Sequence, residues 1–192
     1  MSLAAPPPDA AALLAVLERE LTTASPPVCL VPKAESALCR VLDVALRLVT
    51  LGRQSRFMTE YTTTIGRRIY VPAGWDRLPA AERYCVLRHE LVHVRQFARW
   101  TVPGMAFLYL FMPLPMGFAA ARAMFELEAY RESLRAMHEV GQLESERRSE
   151  VVSWMVARFT GPDYGWMWLA GGPVRRALLR TLSELDEVGR GS

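Results

Sequence analysis

From Asp9 onward the apolar positions recur at helical spacing to about Leu21, and Asp9 is suited to cap that first helix. The proline-rich SPPVCLVPK interrupts the pattern. It resumes from Ser36 to about Leu51, with Leu38, Val41, Leu42, Ala45, Leu48 and Val49 at helical intervals. After GRQSR the period changes. MTEYTTTI and RRIYVP are rich in Thr, Ile, Tyr and Val and flank Gly66, which predicts two short strands or a hairpin. Trp75-Asp76-Arg77-Leu78-Pro79 reads as a helix start, with Pro79 in the first turn and Glu82 at the positive end of the dipole. One long helix follows to about Trp100, its solvated side marked by Arg88, Arg95 and Arg99. Further helices are expected at 119–138, 141–159 and 173–187, with the aromatic GPDYGWMW as a loop before the last. The pattern predicts an α+β chain, predominantly α, with a small β-sheet ahead of the long helix.

At 192 residues, 51% of them hydrophobic, the chain suits one domain spanning 1–192, with residues 1–8 and 189–192 outside its ordered part. The net charge of +3 comes from scattered arginines, and Lys33 is the sole lysine. No basic stripe with interleaved aromatics is present, which argues against nucleic-acid binding. Cys29, Cys39 and Cys85 form no C-x-x-C pair and leave an odd count, which fits a reducing compartment. The first residues lack a basic segment, and Glu18 and Glu20 end the apolar run early. A cytoplasmic protein is expected.

Within the long helix, residues 84–97 read YCVLRHELVHVRQF. His89 and His93 stand four apart, so both rings can aim at one point, with Glu90 beside them. The face of Val86, Glu90, His93 and Phe97 is flanked by aliphatics, so these polar groups should be largely buried. Such burial is costly without a partner, and a metal supplies one. With 3 histidines and 15 glutamates, H-E-x-x-H arises by chance in roughly a few per thousand such chains. The competing reading is a solvated helix whose histidines meet only water. In the H-E-x-x-H signature two histidines hold zinc and the glutamate is a general base, so Glu90 is the expected catalytic residue.

A third ligand is needed. Position 99 is an arginine, which excludes a downstream histidine at metzincin spacing, and His138 sits in an ordinary amphipathic stretch. MFELEAYRES offers Glu126, Glu128 and Glu132. Glu126 and Glu128 are about 200° apart on a helix and cannot share a face, but periodicity does not choose between them. The combination of His89-Glu90-x-x-His93 with Glu126-Leu127-Glu128-Ala129-Tyr130 resembles the gluzincin zinc metallopeptidases, found as minimal peptidases and in the membrane-embedded CAAX-prenyl protease family. The resemblance covers about residues 58–132. It implies a zincin-like domain holding Zn2+ by His89, His93 and Glu126, with Ala129 as the small residue that lets two helices approach. It also implies that the strand ahead of the motif helix takes an extended peptide or protein substrate by β-augmentation. Tyr130 stands where the family has an aspartate.

On this reading zinc brings the pKa of its water towards about 7 and Glu90 accepts the proton as a peptide carbonyl is attacked. Tyr130, His138 and Tyr164 are candidate oxyanion donors. Between Arg99 and Arg122 lie 22 uncharged residues. One crossing of a bilayer would set Glu126 about 30 Å from the histidines, so a helical hairpin turning near Pro113-Leu114-Pro115 is expected over 100–121. Its apolar tip could pack internally, against a second copy or on a membrane. The alternative function is a zincin-shaped binding or regulatory module without catalysis.

Overall fold

The computed structural model describes residues 9–49, 56–101, 104, 119–161 and 171–191. The protein is α+β and predominantly α. Helix α1 spans Ala10–Thr23, with Asp9 accepting from the Ala11 amide at 3.0 Å, and it buries Leu14, Leu17 and Leu21. Strand β1 covers Cys29–Pro32, and α2 covers Ala37–Val49. Strands β2 (Thr63–Ile65) and β3 (Arg68–Val71) form the expected hairpin, with Gly66 at φ 62 in the position where primed turns call for a glycine. A 3-10 turn at Trp75–Arg77 precedes α3, Ala80–Trp100, whose N-cap is Pro79. Then come α4 (Ala119–Glu139), α5 (Arg148–Thr160) and α6 (Gly171–Gly191).

Several expectations change. Within SPPVCLVPK, Cys29–Pro32 is a strand: it pairs in parallel with β3, Cys29 opposite Arg68, giving the sheet order β1-β3-β2. Four residues between prolines show no alternation, and the hydrogen-bonding partner is remote in sequence. On α2 only part of the apolar stripe packs inward. Cys39, Leu42 and Leu46 pack with Phe57 and Tyr70, whereas Leu38, Val41 and Leu48 are exposed. The helix expected from residue 141 begins at Arg148, because Gly141 at φ 70 ends α4 instead and Gln142 N–H bonds back to the Met137 carbonyl at 2.8 Å. Helix α6 runs on to Gly191. The hairpin expected over 100–121 falls, but for its ends and Gly104, outside the described residues, as does GPDYGWMW beyond Gly161. Among the described residues no helix is long and apolar enough to cross a membrane.

Two cores flank the α3–α4 contact. Leu14, Leu17 and Leu21 meet Ile69, Val71, Trp75, Tyr84, Leu87 and Val94 on one side. Tyr130, Leu134, Val152, Met155, Phe159 and Leu178 from α4, α5 and α6 form the other. Ala129 is 0% exposed on α4. Polar side chains between two apolar masses are thereby held on stiff elements.

Candidate metal centre

Helix α3 runs from Ala80 to Trp100 without a glycine or proline, so residues one turn apart stack on one face. Its Tyr84, Leu87 and Val94 enter the first core, and His89, His93 and Gln96 reach towards α4. His89 Nε2 lies 3.3 Å from His93 Nε2. Glu126 Oε2, from α4, lies 3.8 Å from the first and 3.6 Å from the second. A point equidistant from these three atoms is about 2.1 Å from each, the distance at which zinc binds imidazole and carboxylate. This is the one group among the described residues that brings three His, Cys, Asp or Glu ligand atoms together, and it can hold a metal ion. His93 and Glu126 are buried, whereas His89 keeps some exposure.

The outer nitrogens decide what the inner ones offer. Ser133 Oγ donates to the Ala129 carbonyl at 3.2 Å, so its lone pair is available to His89 Nδ1 at 3.0 Å. His93 Nδ1 lies 2.9 Å from Gln96 Oε1, an acceptor. Both rings then carry hydrogen on Nδ1 and turn Nε2, the atom left for a metal or a second proton, towards Glu126. Two lone pairs and a carboxylate converging in a buried place require a positive charge. Burial lowers the His89 pKa, and the neighbouring His93 lowers it further. At His93 burial acts the same way but is outweighed by the hydrogen bond and charge of Glu126, with Glu90 and Gln96 adding, and its pKa is pushed up to about 9. In the metal-free chain a proton on His93 supplies the positive charge, and a metal ion held by the three residues could take that proton's place.

Glu90 is 7% exposed. Its Oε2 accepts from Thr64 Oγ1 at 2.6 Å, and among the described residues it has no second hydrogen-bond partner. Thr64 belongs to β2, one of the two outer strands of the β1-β3-β2 sheet. Of the other candidates, Glu128 is exposed and accepts from Gln96 Nε2 at 2.9 Å, so it does not join the triad. Glu132 pairs with Arg88. Arg88, expected on the solvated side of α3, is instead 21% exposed, because Glu132 and Glu139 on α4 both face it. Tyr130 packs its ring edge-to-face on His89, with centroids 5.1 Å apart, and is buried beside Phe159. His138 is exposed three turns beyond Glu126 on α4, and Tyr164 lies outside the described residues. Thr64, Gln96 and Ser133 were not anticipated. A signal existed for two of them, since Gln96 follows His93 by one turn and Ser133 follows Glu126 by two. Thr64 gave none within TTT. Comparison with known protein families, curated proteins and solved structures finds no match.

Proposed function

We propose that the protein is a zinc-dependent peptidase of gluzincin type, with His89, His93 and Glu126 as metal ligands and Glu90 as general base. The observation that carries this reading is Glu90 itself, a buried carboxylate beside the triad, held by Thr64. Three protein ligands leave a fourth position open, as in catalytic rather than structural zinc sites, and a structural site has no use for an additional base. Zinc, when bound, supplies Lewis acidity towards a substrate carbonyl and a water molecule. The Glu90 oxygen that does not face Thr64 accepts the proton of the attacking water and returns it to the departing amine. Among the described residues strand β2 has a partner on one side only, and along its other edge an extended peptide can add a strand, placing its carbonyl beside Glu90.

Glu90→Gln tests the assignment, because its amide can still accept from Thr64 and keep the local shape. The variant is expected to bind zinc as the wild type does while peptide cleavage falls about 10²–10⁴-fold. Wild-type cleavage that survives the substitution would refute the role of Glu90. A zinc-loaded wild type that cleaves no member of a peptide library would favour the non-catalytic module.

A further inference from the structure

We propose that Gln96 is a positioning residue that sets His93 for metal binding and ties it to the helical turn carrying Glu126. The inference rests on reading His89, His93 and Glu126 as a metal centre. Gln96 is 4% exposed and lies between α3 and α4. An amide buried there needs partners at both ends. Its Nε2 donates to the Phe125 carbonyl at 3.0 Å and to Glu128 Oε2 at 2.9 Å. Neither partner has a hydrogen to give, so the amide cannot be turned round, and Oε1 must face His93. Oε1 accepts from His93 Nδ1 at 2.9 Å. The hydrogen of that ring is thereby fixed on Nδ1, and the lone pair on Nε2 is left for a metal.

The two anchors on α4 are informative. Phe125 immediately precedes Glu126, and Glu128 follows two residues later. One side chain thus grips the turn that presents the carboxylate ligand and the ring that presents a nitrogen ligand. Glu128, excluded from the triad, gains a function: it draws on the amide hydrogen and polarises Oε1 towards His93. His89 has a separate support in Ser133, so the two rings are held independently.

The experiment measures zinc affinity by chelator competition, and the visible spectrum of the cobalt-loaded protein, for the full chain and its variants. Gln96→Leu is expected to bind zinc about 10–100-fold more weakly and to alter the cobalt spectrum. Gln96→Glu sets a carboxylate against Glu128 and the Phe125 carbonyl and is expected to weaken binding at least as much. Adding Glu128→Gln to it restores a donor between the helices and is expected to recover most of the loss. That recovery distinguishes positioning from packing, and it decides the matter if Gln96→Leu fails to fold. Unchanged affinity in folded Gln96→Leu and Gln96→Glu, or no recovery in the paired variant, overturns the role of Gln96 and leaves the metal centre intact. A wild type that binds no zinc overturns both.

Discussion

Replacing Arg88 by methionine removes the charged strut between the two ligand-bearing helices while keeping much of the apolar stem. The guanidinium donates to Glu132 through Nε at 2.8 Å and through Nη2, and to Glu139 through Nη1 at 2.6 Å. The Tyr84 hydroxyl joins the group and donates to Glu139 at 2.5 Å. Charge-assisted bonds of this kind contribute about 1.5–3 kcal/mol, and a fully buried ion left alone costs about 3–5 kcal/mol. Here the loss is softened. Glu139 is 40% exposed and regains water, and Glu132 keeps Arg135 at 3.4 Å. A loss of about 2–3 kcal/mol is expected in urea unfolding at neutral pH, or roughly 5–10 °C in melting temperature. The pH dependence has a defined sign. Burial acts to raise the Glu132 pKa, but the bonds and charge of Arg88, then Arg135, outweigh it and hold it below its ordinary value of 4.5. The stabilisation is therefore present above about pH 4.5 and is lost as pH falls through the folded-state value. The difference between wild type and Arg88→Met should narrow in acid. A difference under about 0.5 kcal/mol at neutral pH, the range of an ordinary surface pair, or one that widens in acid, would refute the strut.

Two other substitutions probe the surroundings of Glu90. Thr64→Val keeps the shape but removes the 2.6 Å bond to Glu90, so kcat/KM for peptide cleavage should fall about 10-fold while zinc affinity holds; an unchanged rate would remove Thr64 from the catalytic account. Lys33 is 1% exposed, with its ammonium on the Phe57 carbonyl at 2.7 Å and over the Phe57 ring at 3.7 Å. Burial brings its pKa down to about 8 against the opposing influence of Cys39, Glu90 and Asp43. The unfolded chain thus binds more protons between about pH 8 and 10.5, and wild-type stability relative to Lys33→Met should rise across that window by up to about 3 kcal/mol. A flat difference in denaturant titrations over that range would show that Lys33 keeps an ordinary pKa.

What was legible in the sequence follows from the range of the interactions involved. Helix α3 and its two histidines are local, and so is the hairpin around Gly66, where the change of period shows directly. The parallel pairing of Cys29 with Arg68 is non-local, and nothing in CLVP announces it. Helix α2 carries an unambiguous apolar stripe, yet periodicity says only that a stripe exists. The sheet takes Cys39, Leu42 and Leu46 and leaves Val41 and Leu48 outside. Arg88 illustrates the converse, because its burial depends on two acids 44 and 51 residues away. Periodicity left Glu126 and Glu128 undecided, and the resemblance implied Glu126. In three dimensions Glu126 meets the histidines while Glu128 turns to Gln96. The surroundings of the site escaped notice because Thr64, Gln96 and Ser133 are ordinary polar residues until their partners are placed.

Zinc content and affinity, measured on the purified wild type beside Glu126→Gln and Glu128→Gln, test the metal centre directly. One zinc per chain is expected in the wild type, with affinity lowered at least about 100-fold by Glu126→Gln and far less by Glu128→Gln, whose amide oxygen can still accept from Gln96. A wild type without stoichiometric zinc, or a Glu126→Gln variant that binds it equally well, would contradict the account.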